Sequence, residues 1–124
     1  MRKATIKRFT APDYSGTEAI NTICTNLSFS GRNCKRIAFT SYMAGAGKTY
    51  ISINVLYNLA KRGKRVLLID ADLRRSHIVS RLRMETEGEM LGLAHYLAGH
   101  CNLDDCIYET NMYGACIMPA GRDI

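Results

Sequence analysis

Lys48 and Thr49 close the run Ser41-Tyr42-Met43-Ala44-Gly45-Ala46-Gly47-Lys48-Thr49. A lysine followed by a hydroxyl residue, behind spaced glycines, is chemistry for phosphate. Gly45 and Gly47 let the backbone wrap an anion where a Cβ would forbid it. Lys48 supplies a point charge for the β- and γ-phosphates, and the Thr49 hydroxyl is an oxygen ligand suited to Mg²⁺. The opening turn of a helix adds free N–H groups and the positive end of its dipole. The full pattern, Gly-x-x-x-x-Gly-Lys-Ser/Thr, asks for glycine where this chain has Tyr42, so the match is partial. A glycine-containing turn with a solvated lysine is the plainer alternative.

A second group of reactive side chains follows an apolar run. Arg65-Val66-Leu67-Leu68-Ile69 leads straight into Asp70-Ala71-Asp72-Leu73-Arg74-Arg75. Such a run reads as a buried parallel strand that delivers carboxylates to its C-terminal edge, where open α/β sheets bind ligands. Asp70 and Asp72 are then placed to face Mg²⁺ and the phosphates. The alternative is a polar loop with a helix cap.

The elements needed to position these groups are legible around them. Arg36 to Ser41 reads as a strand, and Lys48 to Arg62 as a helix closed by Gly63. Residues 1–13 read as an irregular lead-in containing Pro12, and residues 14–124 as one unit. Ser15-Gly16-Thr17-Glu18 fits a capping box for a helix bearing Ile20, Ile23 and Leu27. A short helix is expected beyond Ser76, a polar loop over Glu85 to Glu89, and a helix from about Met90 to Leu97. A short helix over Asp104 to Tyr108 and a strand over Ala115 to Met118 complete the outline.

Strand, Thr40-Ser41-x-x-Ala-Gly-x-Gly-Lys-Thr, helix, and Val66 through Arg75 together resemble the bacterial tyrosine kinase (BY-kinase) family, the P-loop kinases of capsule and exopolysaccharide synthesis. The likeness extends to Glu18 through Ser30, to Gly92-Leu93 with Leu97-Ala98-Gly99, and to Ile117 through Gly121. It implies an α/β, P-loop NTPase-like three-layer fold with a mostly parallel sheet. Residues 14–124 would be the N-terminal portion of the kinase/ATPase domain.

It also implies ATP and Mg²⁺ as cofactors. ATP would be held by Ala44, Gly45, Ala46, Gly47, Lys48, Thr49, Tyr50 and Arg74. The metal would be held by Thr49, Asp70 and Asp72, and catalysis would rest on Lys48, Asp70 and Asp72. The implied partners are a protein tyrosine substrate and a membrane adaptor, the polysaccharide co-polymerase. The implied location is cytoplasmic, at the membrane through that adaptor.

Several residues depart from the family pattern. Ala44 and Ala46 replace its usual proline and glutamate, and Tyr50 replaces a small hydroxyl residue beside the α-phosphate position. The assembly motif Glu-x-x-Arg-x-x-Arg reads Glu18, Asn21 and Cys24, so its arginines are missing and the family's homo-oligomer does not carry over by this motif. With three expected strands, no Walker B aspartate and no terminal tyrosine cluster, the chain reads as an incomplete sheet, truncated before Walker B. A partitioning-type P-loop ATPase is an alternative, although that class places a lysine where this chain has Met43. A catalytically inactive, nucleotide-binding remnant is another.

Composition narrows the classes further. There is no apolar stretch of membrane-spanning length and no signal-peptide pattern after Met1-Arg2-Lys3. Five cysteines without a Cys-x-x-Cys pair read as reduced thiols. His95, His100, Cys101 and Cys106 do not fall on one helical face, which disfavours a metal cluster there. The net charge of +6 is spread along strand flanks without interleaved aromatics, which speaks against nucleic acid as a partner.

Overall fold

The computed structural model describes residues 1–9, 11–29, 36–38, 47–74 and 76–121. Among the described residues, five strands form one sheet: β1 (Arg2–Ile6), β2 (Val66–Ile69), β3 (Met84–Thr86), β4 (Tyr108–Glu109) and β5 (Ala115–Met118), in the order β2-β5-β4-β1-β3. β2 pairs with β5 and β1 with β4 in parallel; β4 pairs with β5 and β1 with β3 antiparallel. The helices are α1 (Tyr14–Phe29), α2 (Lys48–Lys61), α3 (Ile78–Leu82) and α4 (Leu93–Leu97), with a 3₁₀ turn at Leu103–Asp105. The expected α/β class is therefore what the chain adopts, with a mixed sheet among the described strands.

α2 is buried on two sides. Ile53, Leu56 and Ala60 pack with Ala115 and Ile117 of β5 and with Val66 and Leu68 of β2. Val55, Ile51 and Leu59 face Ile20, Cys24, Ile23 and Leu27 of α1. α1 runs alongside α2 in the same direction. Asn58 Nδ2 donates to Asn21 Oδ1 at 2.8 Å, and one turn further Arg62 reaches Asn21 O and the Thr25 hydroxyl. Alternate residues of β2 behave oppositely: Leu67 and Ile69 stay 40% and 49% exposed on the other face.

The lead-in expected over residues 1–13 contains a strand instead. β1 has only Ala4 and Ile6 pointing inward, and Lys3, Thr5 and Lys7 outward, so its apolar signal is short. Long-range bonds hold it. The Arg2 guanidinium donates to Glu89 O, Glu87 O and the Tyr108 hydroxyl at 2.6–2.8 Å, and lies 5.0 Å from the Tyr108 ring centroid. Asn111 bonds both backbone groups of Ile6. These partners lie about 100 residues away in the chain, beyond any local pattern.

Other local expectations shift for similar reasons. α1 starts one residue before Ser15, because Asp13 Oδ1 accepts the Gly16 N–H at 2.8 Å and acts as the N-cap. Glu18 thus lies in the second turn, outside the cap. The expected loop at Glu85 to Glu89 begins as β3, paired to β1 with Thr5 opposite Glu85. The helix expected from Met90 is confined to α4, and the one expected over Asp104 to Tyr108 is the 3₁₀ turn followed by β4. Residues 36–38 carry no strand, and the rest of the strand expected to Ser41 lies outside the described residues.

Cys24, Cys101, Cys106 and Cys116 are free thiols. Burial pushes the Cys106 thiol up to about 11, with contact to Cys101 adding to the shift. A folded value above the ordinary 9.0 means that this stabilising contribution is complete below pH 9 and is lost as pH rises toward 11. Alkaline denaturation is expected to begin in that window and to recede in Cys106→Ala when each variant is compared with its own stability at pH 7. An unchanged alkaline profile in Cys106→Ala would remove this thiol as the cause.

Candidate functional site

Gly47 stands at the N-cap of α2 with φ +81 and no side-chain cap bond. A Cβ built there meets nothing within 4 Å, so the requirement for glycine is conformational, the left-handed backbone that L side chains rarely adopt. Lys48 opens the helix and is exposed; Thr49 is half-buried. The first N–H groups of α2 have no partner one turn back within the helix, and Ile51 N–H closes the first turn onto Gly47 O at 2.9 Å. Ala44, Gly45 and Ala46, expected to continue the cradle, lie outside the described residues.

Tyr50 does not lean over the start of α2. Its hydroxyl comes within 3.5 Å of the Gly16 Cβ position at the start of α1. The bulk that replaces the family's small residue is thereby spent on the α1–α2 contact.

α2 and β2 are joined by residues 62–65 and pack on one another, so β2 runs back toward the start of α2. Asp70, the residue after β2, consequently lies at the same edge as Lys48. It is 94% buried, the complement of its 6% exposure. Its N–H donates to Met118 O at 3.0 Å, extending the β2–β5 ladder by one bond. Asp70 Oδ1 accepts the Asp72 N–H at 3.0 Å, and Oδ2 accepts the Ser76 hydroxyl. The carboxylate is fixed in one orientation and keeps acceptor capacity on both oxygens, which suits a group that holds a hydrated cation. Asp72 and Arg74 are exposed on the following turn.

Ser76 was not legible as a site residue, since a serine six positions after an aspartate has no periodic signature. A second cluster, also not foreseen, adjoins this edge. Pro119 O and Ala120 O, just beyond β5, accept the N–H groups of Leu93 and Ala94 at 2.7 and 2.8 Å. Gly92 N–H donates to Nδ1 of the buried His95 at 3.0 Å. His95 is thereby a packing and capping residue. Among the described residues, no three His, Cys, Asp or Glu side chains are grouped to hold a metal ion.

The AAA domain family matches residues 34–124, nearly three quarters of the chain. The sequence is 40% identical over 105 residues to the tyrosine-protein kinase CpsD of Streptococcus agalactiae, covering 85% of this chain and 45% of CpsD. The fold superposes on the BceF tyrosine kinase domain with a TM-score of 0.77 at 30% identity, over 95% of this chain and 46% of that one. It superposes on the kinase domain of the Escherichia coli tyrosine kinase ETK with a TM-score of 0.76 at 31% identity, over 87% and 42%. The chain belongs to the bacterial tyrosine kinases of the AAA domain family. It spans about half the length of the curated relatives that it matches. The family that it matches is one of nucleotide-using P-loop proteins. No helix among the described residues is long and apolar enough to cross a membrane.

Proposed function

We propose that this chain forms the ATP-binding portion of a protein-tyrosine kinase that serves capsular or exopolysaccharide synthesis in the cytoplasm. The observation that carries the reading is the left-handed Gly47 heading α2, with Lys48 and Thr49 behind it, at the edge where β2 delivers the braced Asp70. Residues 44–50 cradle the phosphates, with Lys48 neutralising charge on the β- and γ-groups. Thr49, Asp70 and Asp72 hold Mg²⁺, which when bound supplies further charge neutralisation. Asp70 and Asp72 orient the tyrosine hydroxyl and receive its proton, and Arg74 steadies the phosphate end. Phosphoryl transfer needs positioning and charge compensation more than covalent help, and these are the groups that provide them. The partners proposed with this activity are a tyrosine-bearing protein and a membrane adaptor of the polysaccharide co-polymerase type.

Asp70→Asn tests the metal role. The amide lacks the charge that attracts Mg²⁺ yet keeps one acceptor oxygen for Asp72 N–H or Ser76. The expected result is a loss of Mg²⁺ dependence in ATP binding, with about 1–3 kcal/mol of lost stability from the disturbed pair of hydrogen bonds. Calorimetric titration with ATP, with and without Mg²⁺, and a thermal melt separate the two effects. A variant that only unfolds more easily, with Mg²⁺ dependence intact, would argue that Asp70 is structural.

A further inference from the structure

We propose that Cys101 and Cys106 are a reversible thiol–disulfide site, in which hydrogen peroxide oxidises Cys101 and Cys106 closes the bond. The 3₁₀ turn at Leu103–Asp105 brings the two cysteines together. Asn102 opens the turn: its N–H donates to Asp105 Oδ2 at 3.0 Å, and its carbonyl accepts the Asp105 N–H at 3.1 Å. Cys106 N–H then donates to Leu103 O at 3.2 Å, and Cys106 Sγ lies 3.3 Å from the same oxygen. These bonds fold Cys106 back toward the residue that precedes the turn. The Cys106 and Cys101 thiols are in hydrogen-bond contact. The Tyr108 phenol, pushed up by its own burial, is pushed further by both sulfurs, which sit together beside it.

Access to the two thiols is unequal. Cys106 is fully buried, whereas Cys101 is half-buried, so a small oxidant meets Cys101 first. Burial and the neighbouring Cys101 also keep Cys106 protonated at neutral pH, which removes it as the attacking thiolate. Other cysteines among the described residues face different neighbours. Cys24 is enclosed between α1 and α2, and Cys116 Sγ lies 4.0 Å from Met1 Sδ, a thioether that cannot form a disulfide.

The chemistry balances in two steps. The Cys101 thiolate sulfur attacks one peroxide oxygen and the O–O bond breaks; sulfur is oxidised to the sulfenic acid, and the other oxygen leaves as hydroxide and takes up a proton to become water. Cys106 then gives its proton to the sulfenic oxygen, its sulfur bonds to that of Cys101, and the S–O bond breaks with release of a second water. A dithiol reverses the bond through a mixed disulfide. Because the thiols already touch, closure asks little movement of the turn and acts mainly by constraining the unfolded chain. It pins the connection between α4 and β4, the strand that pairs with both β5 and β1.

The test treats the whole chain with a small molar excess of hydrogen peroxide, blocks remaining thiols with N-ethylmaleimide in denaturant, and digests without reduction. Asp-N protease cuts before Asp104, between the two cysteines, so the bond appears as two linked peptides. The expected result is a Cys101–Cys106 link that dithiothreitol removes, with Tm of the oxidised chain raised by about 5 °C. Cys106→Ser should halt the reaction at a Cys101 sulfenic acid, captured by dimedone. Should that core variant fail to fold, Cys101→Ser changes the half-buried partner; Cys106 should then stay a free thiol under the same oxidant, with no rise in Tm. Recovery of Cys101 and Cys106 unlinked, or of Cys101 linked to a different cysteine, overturns the inference. So does an oxidised chain that melts below the reduced one, since the turn would then have been forced open to make the bond.

Discussion

Lys48→Met is expected to weaken Mg·ATP binding by about 10–100-fold, the equivalent of losing one charge-assisted contact of about 1.5–3 kcal/mol. Methionine keeps the length of the side chain and removes its cation. The rest of the proposed cradle is backbone, namely the left-handed Gly47 and the first turn of α2, and it survives the substitution. Because Lys48 is exposed, the change should move stability by no more than about 0.5 kcal/mol. Calorimetric titration of both chains with Mg·ATP, alongside thermal melts, distinguishes a lost ligand contact from a damaged fold. Equal affinities for two equally stable proteins would remove Lys48 from the site.

Gly92→Ala is expected to be the most disruptive single-methyl change. A Cβ at this position would lie 2.3 Å from Gly121 N, 2.4 Å from Pro119 O and 2.7 Å from the Ala120 carbonyl carbon. All three are backbone atoms, so no rotamer change relieves the clash. The first turn of α4 must instead separate from residues 119–121, breaking the bonds from Leu93 and Ala94 to Pro119 O and Ala120 O. Over-packing and lost hydrogen bonds together should cost about 3 kcal/mol or more, lowering Tm by roughly 10 °C. Gly99→Ala is the control. Gly99 has φ +78 but nothing within 4 Å of its Cβ position, so only backbone strain of about 1–2 kcal/mol is expected. A Gly92→Ala chain as stable as wild type would mean that α4 is not seated on residues 119–121 as described. The same variant should perturb ATP binding, since Met118, the residue before Pro119, bonds the backbone of Asp70.

The sequence determined the features that depend on neighbours in the chain. Helix α2 and its start at Lys48 followed from glycine, lysine and a helical apolar period; β2 and its terminal Asp70 followed from an apolar run ending in acids. Both motifs placed the chain within its family, because phosphate and metal chemistry constrain residue types at short spacing. Tertiary structure alone decided the rest. β1 depends on Arg2 reaching Tyr108 and residues 87 and 89, and on Asn111 completing Ile6, contacts between the two ends of the chain. The direction of Tyr50, the Ser76 brace on Asp70 and the close approach of Gly92 to Gly121 are likewise set when separate segments pack. Local spacing encodes which groups can do chemistry. Which way they face, and what holds them there, is settled by backbone and side-chain contacts across the fold, which have no period to read.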